Sequence, residues 1–204
     1  MKDDRILLKI AILGGTGKEG SGLALRWARA GYFVIIGSRS AERADQAAYE
    51  INRQLGMDNA QGMDNESACK EADIVVLTVP PEAQIATLEG VREPLAGKIL
   101  VDDLLGPDVK VVAAFQNVPA HALKKLDVEL ASDVMVCGDD PEARAQTVEL
   151  AEAAGMKAYE AGGLDNGIVV EGLTALIIAM NKRYKSKVGG IRVSGINKDS
   201  EPGR

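Results

Sequence analysis

A glycine-rich turn near the start of the chain constrains its fold most strongly. It reads GTGKEG, with glycines at Gly15, Gly17 and Gly20, and it follows an apolar run at residues 7–13. Residues 19–30 then have helical apolar spacing and end at Gly31. Dinucleotide-binding sites need this strand–turn–helix context, because the glycines allow a tight turn, close approach of a pyrophosphate, and helix–strand packing. An ordinary glycine turn is the plainer interpretation, and the context disfavours it.

The residues after the second predicted strand, 32–36, favour NADP(H) over NAD(H). NAD sites place Asp or Glu here to bind the ribose hydroxyl, but this chain has Ser38 and Arg39, and no carboxylate before Glu42. A serine hydroxyl and an arginine fork can donate to a phosphate, and Arg43 follows one helical turn later. Alternatively, Arg39 and Arg43 are solvated charges at a helix start, where the helix dipole disfavours positive charge.

Apolar runs and helical stretches alternate along the chain and predict an α/β fold. The prediction is a Rossmann-like, doubly wound, mostly parallel sheet with a C-terminal helical/αβ extension. Residues 1–197 should form one domain with a small C-terminal substrate part at about 134–193, and residues 198–204 a loose tail. Strands are predicted at 7–13, 32–36, 57–64, 73–79, 98–102, 109–115, 134–137 and 156–160. Helices are predicted at 19–30, at 40–55 capped by Ser40, at 65–72 capped by Asn65, and at 82–88, 141–154 and 167–184.

The connection between the strands at 98–102 and 109–115 is unusually short. Only residues 103–108 lie between them, whereas parallel neighbours need a crossover of about a dozen residues or more. Either a helix is missing here, or the link crosses in extended form, or one strand lies outside the parallel sheet.

Composition excludes several kinds of chemistry. His121 is the single histidine, and Cys69 and Cys137 are the only cysteines, so we expect no metal site, no disulfide framework and no acid–base catalytic residue. The net charge of -6 argues against nucleic acid as a partner. No apolar run approaches the roughly 20 residues of a membrane span, and no signal peptide is recognised, so we expect a cytoplasmic protein without a membrane partner.

Two further features have open interpretations. Pro80 and Pro81 follow the strand at 73–79, and they either simply stop it or place Pro81 and Ile85 against a cofactor. The second feature is a basic patch, which is either the solvated end of the last helix or a site for a polyanionic ligand. Its members are Lys182, Arg183, Lys185, Lys187 and Arg192.

Several motifs in combination resemble those of the NADPH-dependent reductases of the deazaflavin coenzyme F420, also called F420:NADP oxidoreductases. The resemblance covers about residues 8–193. It rests on GGTG at 14–17, GSR at 37–39, LTVP at 77–80, QNVPA at 116–120, VCGDD at 136–140 and EGLTALII at 171–178. It implies that a hydride passes between NADP(H) and coenzyme F420 as co-substrate while the two rings stack directly, and it implies a homodimer with the helix at 167–184 in or near the interface.

The motifs also imply site residues. The NADP(H) contacts expected from the glycine motif and the resemblance are Gly15, Thr16, Gly17, Lys18, Glu19, Gly20, Ser38, Arg39, Arg43, Pro81, Ile85 and Ala120. The F420 contacts expected are Gln116, Val118 and Thr174 for the ring, with the basic patch, including Lys187 and Arg192, facing the anionic tail.

The chain departs from the family at two places. Gln116 stands where some members have histidine, so it keeps a donor and an acceptor but cannot become charged. The link at residues 103–108 is shorter than the family's loop and helix. Two other functions therefore remain open: an NADPH-dependent reductase of a flavin, quinone or ferric chelate, and a non-enzymatic NADP(H)-sensing protein.

Overall fold

An eight-stranded sheet forms the centre of the protein in a computed structural model, which describes residues 8–101 and 109–196. The strand order is β3-β2-β1-β4-β5-β6-β7-β8, and neighbours are parallel except the antiparallel pair β6–β7. This confirms the doubly wound, mostly parallel α/β fold. The strands are β1 (Lys9–Leu13), β2 (Phe33–Ser38), β3 (Ala60–Asp64), β4 (Ile74–Leu77), β5 (Ile99–Val101), β6 (Lys110–Ala113), β7 (Val134–Gly138) and β8 (Ala158–Glu160).

Helices cover both faces of the sheet, which is why the central strands are apolar on both sides. The helices are α1 (Lys18–Arg29), α2 (Ala41–Leu55), α3 (Asn65–Glu71), α4 (Pro81–Gly90), α5 (Arg92–Leu95), α6 (Ala120–Leu123), α7 (Pro141–Ala153) and α8 (Gly167–Arg183). The short helices α5 and α6 were not predicted. A 3-10 turn, Leu164–Asn166, precedes α8.

Helix α2 follows its sequence signals closely, and α3 differs in one detail. The Ser40 hydroxyl accepts a hydrogen bond from the Arg43 backbone N–H at 3.4 Å, and Gly56 ends α2 in the left-handed conformation with φ 64°. Helix α3 is capped by Asp64, whose carboxylate accepts from the Ser67 backbone N–H. The predicted cap at Asn65 is therefore wrong by one residue, since Asn65 already lies within the helix.

Arg26 ties α1 to the elements packed on it. This side chain is buried, and its guanidinium donates to the carbonyl oxygens of Leu123 at 2.7 Å, Ala154 at 2.8 Å and Lys125 at 2.9 Å. Beside it, the indole N–H of Trp27 donates to a carbonyl of α7 at 2.8 Å. These hydrogen bonds satisfy buried polar groups and fix α1 against α6 and α7.

The two strands at the short connection both belong to the parallel sheet. Ile99 pairs with Lys110 and Val101 with Val112 in parallel register. This pairing excludes the possibility that β5 or β6 lies outside the parallel sheet. Residues 102–108, which hold the link itself, lie outside the described residues, as do the start of the predicted first strand and the predicted tail at 198–204.

Helix α8 is strongly apolar, yet most of it lies at the surface. Ile168 is 78% exposed, and Val169, Leu176 and Ile178 are exposed with it. Within the described residues, the segment Leu164–Arg183 is the one whose length and composition would allow it to cross a membrane. Of its apolar 18-residue stretch, 17% is buried in the protein. The expectation that no apolar run approaches the length of a membrane span was therefore wrong. Charged residues interrupt this segment, but they do not lower its mean hydropathy below that of a possible span.

Candidate functional site

The glycine turn places the start of α1 directly beyond the end of β1. Gly14 has φ +76°, which favours glycine, and the Gly15 N–H points back to the carbonyl oxygens of Ile12 and Gly37 at 3.0 and 3.1 Å. A Cβ on Gly20 would lie 2.5 Å from the Thr78 hydroxyl oxygen and 2.7 Å from the Gly15 Cα. The third glycine of the motif therefore allows α1 to pack closely against the sheet.

The first turn of α1 is open to an anionic ligand. Gly17 is its N-cap and makes no side-chain capping bond. The first N–H groups of a helix have no partner within the helix, and the helix dipole places partial positive charge there. This is the geometry in which helix N-termini bind phosphate groups.

A cavity of about 910 Å³, here named the turn cavity, lies at the carboxyl ends of β1, β2 and β4. Nine of the twelve residues predicted to contact NADP(H) line it: Thr16, Gly17, Lys18, Glu19, Ser38, Arg39, Arg43, Pro81 and Ala120. Gly15 and Gly20 lie in the turn and are not among the lining residues, and Ile85 is exposed on α4 outside the lining.

The β2 end of the turn cavity has the donors that a phosphate needs. Arg39 and Arg43 are exposed at its wall, and the buried Ser38 hydroxyl accepts from the Ser40 N–H at 3.3 Å. Asn65 also lines the cavity, and its buried Oδ1 has no hydrogen-bond partner within the described structure. The residues present therefore fit an NADP-type dinucleotide. Sequence reasoning predicted Asn65 only as a helix cap and did not find its place in the cavity.

A second cavity of about 730 Å³, the central cavity, adjoins the first at the carboxyl ends of β4, β5 and β6. Glu19, Thr78, Val79 and Pro81 line both cavities, so the two form one continuous groove. In open α/β sheets a dinucleotide lies across the point where the strand order reverses, here between β1 and β4. The remaining lining residues are Leu77, Gln84, Val101, Ala114, Gln116, Leu164, Asp165, Ile168 and Glu171.

Gln116 enters this groove from a strained segment after β6. The preceding residue, Phe115, has φ 73°, which is uncommon for a residue with a side chain. The Phe115 ring is buried and packs edge-on against Trp27, with ring centroids 5.9 Å apart. Gln116 follows with its Oε1 buried and without a hydrogen-bond partner. The strained backbone thus presents an unused acceptor beside the groove.

A third cavity of about 220 Å³, the side cavity, lies on the other side of Gln116. It brings together four of the five residues predicted for the second substrate: Gln116, Val118, Thr174 and Lys187. The Thr174 hydroxyl donates to Asn117 Oδ1 at 2.7 Å, linking α8 to the segment after β6.

Most of the basic patch does not join the side cavity. Arg192 donates instead to the Glu129 carboxylate at 3.0 Å and is not among the lining residues. Of the patch, Lys187 alone belongs to the described lining.

Glu19 is the titratable group with the strongest perturbation in the groove. Burial raises the pKa of its carboxyl to about 7, and the charge of Glu171 acts in the same direction. Burial likewise raises the pKa of the Cys69 thiol, to about 11, so this thiol is protonated and inert near neutral pH. Among the described residues no group of three or more His, Cys, Asp or Glu side chains could hold a metal ion.

Comparison with known proteins agrees with this geometry. The family described as "NADP oxidoreductase coenzyme F420-dependent" matches residues 9–106. The F420-dependent NADP reductase of Methanocaldococcus jannaschii is 38% identical over 222 aligned positions, which cover 93% of this chain and 99% of that protein. The chain belongs to the family of F420-dependent NADP reductases.

Other relatives of the family extend the comparison. The Methanothermobacter thermautotrophicus reductase is 36% identical over 94% of this chain and 97% of its own length. A crystal structure of an Arthrobacter protein, assigned provisionally to the F420-dependent NADP reductases, superposes with a TM-score of 0.76 at 24% identity, covering 92% of this chain and all of that one. The M. jannaschii alignment is longer than the 204 residues of this chain, so the relative has residues that this chain lacks.

Proposed function

We propose that this protein transfers a hydride between NADP(H) and coenzyme F420. The observation that carries the proposal is the continuity of the turn cavity and the central cavity through Glu19, Thr78, Val79 and Pro81. A dinucleotide with its phosphates at the glycine turn then extends its nicotinamide towards Gln116. The two cofactors supply the hydride chemistry themselves, so the protein has to position the rings and exclude water.

The NADP(H) half of the groove is assigned by its donors. Arg39, Arg43 and Ser38 would hold the 2′-phosphate, and the N–H groups at the start of α1 would hold the pyrophosphate. Asn65 would use its free Oδ1 to accept a hydrogen bond from the adenosine portion. Pro80 and Pro81 both line the turn cavity, which supports the interpretation that they contact the cofactor as well as ending the strand.

The F420 half is assigned to the segment after β6 and to α8. Gln116 and Val118 would contact the ring, and Thr174 would hold that segment in place through Asn117. Lys187 would face the anionic tail. Arg192 would contribute only if it left Glu129. In this arrangement the C-terminal part, about residues 134–193, acts as the substrate part of a single domain, and no residue acts as a general acid or base.

The decisive experiment is anaerobic mixing of the protein with NADPH and oxidised F420, with NADH in a parallel cuvette. Loss of the deazaflavin absorbance with NADPH, and little loss with NADH, is the expected result. If NADPH binds but F420 is not reduced, the acceptor assignment fails, and flavins, quinones and ferric chelates should be tried in its place. Binding without reduction of any acceptor would favour a sensing role.

The exposed apolar surface of α8 supports the homodimer that the family resemblance implies. Val169, Leu176 and Met180 are exposed and, at positions i, i+7 and i+11, they share one face of the helix. An exposed apolar surface of this kind usually marks an interface. A second copy of the chain is the proposed occupant, in a cytoplasmic protein without nucleic-acid or membrane partners. Sedimentation of the protein and of Leu176→Lys should give a dimer and a monomer. Co-flotation of the unaltered protein with lipid vesicles would instead indicate a membrane contact.

A further inference from the structure

The junction between the turn cavity and the central cavity carries an acidic group that the hydride reaction does not need. Glu19 lies in the first turn of α1 and lines both cavities. Asp165, in the 3-10 turn, and Glu171, on α8, line the central cavity with it. Among the described lining residues of the central cavity there is no lysine or arginine.

The two redox forms of the nicotinamide differ in charge at this point of the groove. The oxidised ring carries one positive charge, and the reduced ring is neutral. A carboxylate attracts the first and has little interaction with the second, and this attraction is strong where the surroundings exclude water. The adenosine half lies at the β2 end, beside Arg39 and Arg43, so the nicotinamide half extends towards Glu19 and the central cavity.

We propose that Glu19, supported by Glu171 and Asp165, is a specificity-determining residue that makes the protein prefer NADP⁺ to NADPH when its carboxyl is ionised. The proposal rests on the assignment of NADP(H) to this groove. It adds a residue that discriminates between the two redox states, whereas Arg39 and Arg43 face the phosphate common to both.

The charged groups around Glu19 come from three elements. Lys18 precedes it on α1 and lines the turn cavity, Glu171 faces it from α8, and Asp165 faces the central cavity from the 3-10 turn. The segment between β4 and α4 contributes the uncharged Thr78, Val79 and Pro81. Burial of Glu19 and its repulsion by Glu171 hold its pKa near 7, so the carboxyl changes its charge within the physiological range.

Binding of NADP⁺ near pH 7 should therefore release a fraction of a proton. The positive ring favours the ionised carboxyl, so the Glu19 carboxyl loses its proton as the complex forms. The buffer takes up this proton. The neutral NADPH ring does not stabilise the ionised carboxyl. Because it displaces water, it favours the protonated form of the Glu19 carboxyl. The affinity for NADP⁺ should rise with pH while the affinity for NADPH stays level or falls.

The test is isothermal titration of the protein with NADP⁺ and with NADPH from pH 6 to pH 8, in buffers of different ionisation enthalpy. We expect NADP⁺ to bind about fivefold more tightly at pH 8 than at pH 6 and to release a fraction of a proton near pH 7. NADPH should bind no more tightly at pH 8 than at pH 6 and should release no proton. Glu19→Gln should abolish both effects while NADPH still binds.

Two further variants separate charge from structure. Glu171→Gln should keep the effect but move its midpoint to lower pH, because one source of repulsion is gone. Glu149→Gln, on the exposed side of α7, should behave like the unaltered protein. Equal pH dependence for NADP⁺ and NADPH, or its persistence in Glu19→Gln, would overturn this inference. Failure of both nucleotides to bind would instead overturn the assignment of the groove to NADP(H).

Discussion

The stability of the ligand-free protein should depend on pH through Glu19 in the direction opposite to that of an ordinary salt-bridged carboxylate. Its pKa is about 7 in the folded protein, against an ordinary value of 4.5, so the folded state binds more protons than the unfolded chain between these values. Folding is then favoured at low pH, and the stability falls as the pH rises through this window. One pH unit is worth about 1.4 kcal/mol, so the loss attributable to this group approaches roughly 3 kcal/mol by pH 8.

Glu19→Gln isolates this contribution, because glutamine keeps the shape and has no charge to lose. Urea unfolding can be followed by the fluorescence of Trp27, the single tryptophan, which is fully buried. The variant and the unaltered protein should have similar stability at pH 4.5, and the variant should be the more stable at pH 8 by up to about 3 kcal/mol. Glu149→Gln serves as the control for removal of an exposed charge. Parallel pH profiles for the two proteins would refute the reasoning.

Arg39→Ala should weaken NADPH binding by about tenfold, because a charge-assisted contact at an exposed site is lost, and should change NADH binding little. If fluorescence titrations showed equal losses of affinity for NADPH and NADH, the phosphate assignment would be contradicted. Gly20→Ala should cost about 1–3 kcal/mol of stability, because its Cβ would clash with the backbone, whereas Gly90→Ala, where a Cβ meets open space, should not lower the melting temperature. Arg26→Met should cost roughly 3 kcal/mol in urea unfolding, since two buried carbonyls and one partly buried carbonyl lose their donor. An unchanged midpoint would show that water replaces the donor.

Local signals in the sequence predicted most of the fold. The glycine motif, the Ser40 cap and Gly56 specify their turns through conformations and hydrogen bonds that depend on a few adjacent residues. The short helices α5 and α6 were missed because four residues are too few to show a helical period. The cap of α3 was misplaced because Asp64 and Asn65 are both good capping residues and only the backbone decides between them.

The candidate site was predictable where one segment supplies it and not where distant segments meet. Motif spacing alone predicts Ser38, Arg39, Arg43 and the turn residues 16–19, and all of them line the turn cavity. The proximity of Glu19 to Glu171 depends on where α8 packs, more than 150 positions later in the chain. Charge alone grouped Arg192 with the basic patch, but its contact with Glu129 takes it elsewhere.

The position of Phe115 restricts how this site can diversify. Its ring belongs to the core through Trp27, and its left-handed backbone sets the direction in which the chain leaves β6. Any replacement must fill the same space and tolerate the same backbone, a strain of about 1–3 kcal/mol that the core contact offsets. Gln116, one residue later, has neither the left-handed backbone nor the core contact. Substitutions at residue 116 can therefore change the acceptor specificity with little loss of stability. Residue 115 cannot vary in this way, because its side chain and backbone fix the direction of the segment that carries residue 116.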